Sequence, residues 1–210
     1  MACAICKTRR EKRYCPGVHG NICAICCGEQ REETIDCPLD CEYLQRAHEH
    51  EGRLPKDPAG MPATEFRMTG DFLRKNMDLI IAVQHAVLTA AVRRNASDSD
   101  AKEALTGLVR TYQTLESGLY YESRPANPIA GAIFDAVQEH VAEVRKLEDE
   151  RGMHKTTDGQ VRSILLFLQQ MEYAYSNDRK RSRGFLDWLR TAVAEIAEMR
   201  QSDPASLIVS

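Results

Sequence analysis

Eight cysteines, Cys3, Cys6, Cys15, Cys23, Cys26, Cys27, Cys37 and Cys41, fall within the first 41 of 210 residues, and none occurs in the remaining 169. Thiolates two residues apart across a tight turn can face one metal ion together. Cys3-Ala4-Ile5-Cys6 and Cys23-Ala24-Ile25-Cys26 are two such knuckles of matching sequence. A pair of knuckles makes a complete four-thiolate site, and Cys15, Cys27, Cys37 and Cys41 remain as a second set of four. The count closes on two Zn2+ ions per chain with all eight cysteines as ligands. Because Cys15 lies between the knuckles and Cys27 follows the second, the two sets must interleave. Sites closed by four protein donors are structural and contribute folding energy. The same donors also suit an iron–sulfur cluster, and the sharing of cysteines between ions stays open at this point.

The histidines compete as ligands. His19 sits in the loop after Cys15, where it is an alternative to one cysteine. His48 is a second alternative, although a short helix from Cys41 to Gly52 would place it about 10 Å of helix rise beyond Cys41. A redox Cys-x2-Cys opens a helix after a strand in a βαβ unit, and neither knuckle has that setting. The order Cys3-x2-Cys6, Arg13-Tyr14-Cys15-Pro16, Cys23-x2-Cys26 and a later cysteine pair resembles the cross-brace fingers of the HIT, MYND and B-box types, over residues 1–50 only. That resemblance implies two interleaved zincs and a protein-interaction platform. The chain departs from it in the doubled Cys26-Cys27, in a Cys15 without a Cys-x2-Cys partner, and in lacking the closing His-x3-Cys.

Stepping outwards from the cysteines, the segment Gly52 to Pro62 holds three prolines and two glycines, a composition that stops helices. The expected organisation is a zinc-binding module over 1–51, a Pro/Gly linker over 52–63, a helical bundle over 64–203 and a tail over 204–210. Downstream of the linker apolar residues recur at helical spacing. A first helix is expected from about Asp71 to Arg94, and Asn95 to Asp100 supplies a loop and N-cap. A second carries Leu105, Leu108, Tyr112, Leu115 and Leu119 until Arg124-Pro125. Pro128 opens a third that runs to Gly152, and Thr157-Asp158 opens a fourth. A fifth helix, or a continuation of the fourth, carries Phe185 to Met199 until Asp203-Pro204. The fold class is therefore mostly α: a small cysteine-rich double-zinc module followed by an all-α antiparallel bundle. A fourth helix continued into the fifth would outrun its neighbours, so a homodimer is expected to cover the overhang.

Composition limits the function classes. The chain is 43% hydrophobic and 28% charged with a formal net charge of −3, which gives no global attraction to nucleic acid or anionic membrane. No apolar run is long enough to cross a bilayer, and no basic n-region precedes an apolar core, so a cytoplasmic location without membrane attachment is expected. Two basic runs are candidate nucleic-acid contacts: Arg9, Arg10, Lys12 and Arg13 in the finger, and Arg179, Lys180, Arg181 and Arg183 between the last helical stripes. Residues 1–60 nevertheless carry nine basic and ten acidic side chains, so the finger has no basic field overall. Glu-x-x-His pairs, phosphate loops, nucleophile elbows and His-Glu-x-x-His are missing, and no catalytic residue is assigned. The expected function is a non-enzymatic adaptor or regulator that binds an unidentified protein partner. A nucleic-acid-binding regulator using both basic runs is the first alternative. An enzyme with a site in the bundle, for which the Leu119 to Pro125 corner is the candidate pocket, is the second.

Overall fold

The computed structural model describes residues 1–51, 56–64, 66–153 and 156–202, with side chains to 198. The chain is mostly helical, with a two-stranded sheet near its N-terminus and seven α-helices among the described residues. Strands β1 (Arg13–Cys15) and β2 (Gly20–Ile22) pair antiparallel, with Arg13 opposite Ile22 and Cys15 opposite Gly20. Two short helices follow, α1 (Ala24–Gln30) and α2 (Glu42–Glu51). The bundle is made of α3 (Gly70–Arg94), α4 (Asp98–Glu116), α5 (Pro128–Glu150), α6 (Asp158–Tyr175) and α7 (Gly184–Ser202). Helix α3 packs on α5 and α7, α4 on α5 and α6, and α6 on α7.

The helix starts lie where side-chain oxygens can satisfy free N–H groups. Thr69 caps α3, and Asn127 caps α5 with Pro128 in its first turn. Ser97 with Asp100 and Thr157 with Gln160 form reciprocal capping boxes on α4 and α6. Helix α3 is kinked at Asn76, whose Nδ2 donates to the Phe72 carbonyl at 2.8 Å and whose Oδ1 accepts from Gln160. A side chain bonded into the helical ladder is a physical cause of such a kink.

One expected boundary is corrected. Helix α4 ends at Glu116, before Arg124-Pro125, because Gly118 takes a left-handed conformation (φ +75°) that turns the chain away. Leu119, Tyr120 and Tyr121 therefore lie on a loop and stand 65%, 80% and 68% exposed. This loop lies against α4: Ser123 N donates to Thr111 Oγ1 at 2.9 Å, and Gly107 makes room for the Ser123 carbonyl, which a Cβ there would strike. Of the two readings left open for the last stripe, a fifth helix is the one observed: α6 and α7 are separate, joined over 176–183. The overhang that motivated a homodimer does not form. Phe185, Leu186 and Leu189 from that stripe are fully buried within the bundle core.

The described part of the linker is fastened to α6. Tyr173 Oη donates to the Asp57 carbonyl at 2.6 Å, and Gln170 Nε2 donates to the carbonyls of Ala63 and Phe66 at 2.9 and 3.1 Å. The expected cap Gly52, the stop at Asp203-Pro204 and the tail 204–210 lie outside the described residues. Among the described residues no helix is long and apolar enough to cross a membrane.

Candidate metal centre

The first knuckle is a turn held by its own backbone, with Lys7 N donating to the Cys3 carbonyl at 2.9 Å and Lys7 in a left-handed conformation (φ 56°). The second opens α1, where Cys23 is the N-cap and its sulfur accepts from Cys26 N at 3.4 Å. Cys23 N donates to the Cys3 sulfur at 3.2 Å, which joins the knuckles, and Ala4 N donates to the Asn21 carbonyl at 2.8 Å, which ties the first knuckle to β2. As a result the sulfurs of Cys3, Cys6, Cys23 and Cys26 all lie within 4.8 Å of one another. A tetrahedral ion with sulfur at about 2.3 Å needs edges of about 3.8 Å, so this group is near enough to hold a metal. None of the eight cysteines is in a disulfide.

The thiols of Cys3, Cys6 and Cys26 differ electrostatically. The Thr8 hydroxyl and the N–H groups of Arg9 and Thr8 lower Cys6 to about 5. Burial, then hydrogen bonds with the sulfurs of Cys23, Cys6 and Cys3, pushes Cys26 up to about 12. Cys3 is lowered because backbone donors at Cys23, Cys6 and Ile5 outweigh the upward push of burial. The cluster thus has donors that favour thiolate, beside a thiol that a cation would help to ionise.

Cys15, Cys27 and Cys37 are buried in the same small core as the first group, with Cys41 packed against it. Among the described residues these four do not form a second group as tight as the first. They are nonetheless electrostatic neighbours. Burial raises Cys15, and Cys27 and Cys41 add to the rise. Burial pushes Cys37 up to about 11, with Cys41 and Cys15 contributing after a backbone hydrogen bond from Glu32 that works the other way.

The alternative histidine ligands are placed elsewhere. His19 is exposed in the β1–β2 turn. His48 donates from Nδ1 to Asp187 Oδ2 at 3.0 Å and from Nε2 to Glu32 Oε1 at 3.2 Å, so both ring nitrogens are occupied by carboxylates. Although burial works against its charge, these bonds to Asp187 and Glu32 raise His48 to about 9, and it stands as an imidazolium at neutral pH.

The basic runs divide. The Cys23 sulfur, followed by Cys6 among its neighbours, raises Arg9 against the opposing effect of burial, Arg13 lies 4.0 Å over the Tyr43 ring, and Arg10 and Lys12 are exposed. In the second run Lys180 and Arg181 are exposed, whereas Arg179 is half-buried and Arg183 is buried, each in ion pairs with the N-terminal module. Arg179 pairs with Glu51 at 2.8 Å and with Glu32 at 3.4 Å. Arg183 is 1% exposed. Its guanidinium donates to the Cys37, Ala96 and Asn95 carbonyls and to Asp36 Oδ1 at 2.8 Å, so one side chain joins the cysteine module to the α3–α4 corner.

Two acidic residues gave no sequence cue. Glu32, 0% exposed with φ 57°, accepts from His48, from Asn177 Nδ2 at 2.7 Å and from Arg183 N at 2.6 Å. Asp98 opens α4 yet caps α7, accepting from Phe185 N and Leu186 N at 3.1 Å and from Ser182 Oγ at 2.5 Å. Both residues look like solvated loop acids in sequence.

The candidate corner of the bundle lines two open cavities. Tyr120 shares one of about 880 Å³ with Tyr112, Arg145 and Asp158, and Tyr121 to Pro125 share another of about 730 Å³ with α4. No family model, curated protein or solved structure matches the chain.

Proposed function

We propose that the protein is a non-enzymatic adaptor or regulator whose N-terminal module is held by two structural Zn2+ ions, the second on Cys15, Cys27, Cys37 and Cys41. It acts by binding a protein partner. The observation that carries the reading is the loop after α4, where Leu119, Tyr120 and Tyr121 hold large apolar side chains in solvent next to one another. Exposed aromatic residues on a loop fixed to a rigid helix suit an interface anchor, because little ordering entropy is lost on binding. The ion pairs of Arg179 and Arg183 with Glu32, Glu51 and Asp36 support this reading over a phosphate contact by the second basic run. Two zincs account for all eight cysteines, and the electrostatic proximity of the second four supports their sharing an ion. Self-association as a homodimer belongs to the same reading, with the half-buried Val193 and Ile196 of α7 as its contact.

The test compares the wild-type chain with the double variant Tyr120→Ser/Tyr121→Ser in extracts of its source cells. A partner that co-purifies stoichiometrically with the first and is lost from the second is the expected result. Tight binding of random duplex DNA at about 0.15 M salt, with a steep salt dependence, would replace this reading by the nucleic-acid alternative.

A further inference from the structure

A small cavity of about 330 Å³ lies on the cysteine module between β1, the end of α1 and α2, lined by Arg13, Arg31, Tyr43, Arg46, His50 and Glu51. Three guanidiniums converge on it against one carboxylate. That carboxylate is largely committed elsewhere, since Glu51 lies 2.8 Å from Arg179 and 3.7 Å from Arg31. Arg31 has a side chain only 15% exposed, and its buried Nε–H has no hydrogen-bond partner. Arg13 lies 4.0 Å over the Tyr43 ring, and Arg46 pairs with Glu42, its neighbour one turn back.

A buried guanidinium N–H without an acceptor is an unmet desolvation cost. The planar fork of arginine matches the two oxygens of a carboxylate or phosphate, whereas chloride or a neutral amide cannot engage it bidentately. We propose that this cavity receives a side-chain carboxylate from an acidic segment of the partner protein, with Arg31 as the buried anchor and Arg13 and Arg46 at the rim. A singly charged carboxylate fits better than a phosphate or a nucleic-acid backbone. Arg46 is already paired with the exposed Glu42, whose charge opposes the approach of a polyanion. The inference deepens the protein-interaction reading by naming the chemistry of one contact.

The experiment uses the full zinc-loaded chain and synthetic probes at constant ionic strength: capped hexa-aspartate, capped hexa-asparagine and inorganic phosphate. The arginine Nε–H resonances are followed by 15N NMR. The expected result is a saturable shift of the Arg31 resonance with hexa-aspartate and none with hexa-asparagine. Arg31→Lys should weaken binding about tenfold, and Arg46→Gln severalfold, the latter at an exposed site where folding is not at stake. Equal shifts with hexa-asparagine, or unchanged affinity in both variants, overturns the proposal. Phosphate binding more tightly than hexa-aspartate at the same resonance overturns its carboxylate assignment. Because the probes are synthetic, these results do not depend on whether a partner is recovered from extract.

Discussion

The cysteine module and the helical bundle keep their interiors together by different means. The bundle core is a continuous set of aliphatic and aromatic side chains, among them Val83, Leu105, Leu108, Phe134, Ile164 and Leu165, all at most 1% exposed. The module has a separate core in which six of nine buried members are cysteines, leaving only Ile22, Ile35 and Leu44 as ordinary apolar residues. About fifty residues bury too little apolar surface to offset chain entropy unaided, and thiolate–metal bonds are a direct substitute. The bundle has no such need. Between the two lies a polar seam built on Glu32, His48, Arg183 and Asp187, so the module is fixed to the bundle mainly by hydrogen-bonded charges. The lesson is that three regions of one chain should respond to three different perturbations.

The largest separation is expected from metal removal. On the zinc reading proposed above, in which such sites carry about 10 kcal/mol or more of apparent binding free energy, chelation or Cys26→Ser should collapse the module. Amide protection in 1–51 should vanish while far-UV helicity stays largely intact. The emission of Trp188, the single tryptophan, packed between Tyr175 and Phe185, reports the bundle independently. Loss of all helicity on chelation would show one cooperative unit and break the comparison.

A smaller effect should come from the seam. Arg183→Met leaves the Cys37, Ala96 and Asn95 carbonyls and Asp36 without their shared donor, a loss of about 3–5 kcal/mol if the buried pairing behaves as such pairs do. Unfolding monitored separately by module protection and by Trp188 should change from one transition to two. A variant that still unfolds in one step would mean that the seam is not what couples the parts.

The smallest effect is a pH dependence confined to the seam. His48 is raised in the folded chain to about 9, so its stabilising charge is fully present below its ordinary range near 6.5 and is lost as pH rises through 9. Glu32, despite the upward push of burial, is held low by His48, Asn177 and Arg183 N, and Asp187 by His48 and Arg190. Their contribution is present above the usual carboxylate range and fades as pH falls below it. The difference in Tm between wild type and His48→Gln should therefore be greatest between about pH 5 and 6.5 and shrink towards zero near pH 10. A difference that grows with pH would assign His48 the opposite role.

Much of this architecture was legible in the residues themselves. Cysteine knuckles, the helix starts at Ser97, Pro128 and Thr157, and apolar periodicity act over three or four residues, so spacing alone carries their geometry. The sequence by itself determined that thiols would cluster in a small module and that helices would build the rest. Tertiary structure alone decided what joins them. His48 meets Asp187 across 139 residues, Arg183 reaches Cys37 across 146 and Glu32 accepts from Arg183 N across 151. No local pattern marks such partners, because a lone His, Glu or Arg has the same sequence appearance whether water or another segment satisfies it. The same limit explains Arg179 and Arg183, which share a basic run with exposed Lys180 and Arg181 yet turn inwards where the chain reverses between α6 and α7. Burial converts an ordinary surface cation into a fastener, and burial is a property of the returned chain rather than of the run.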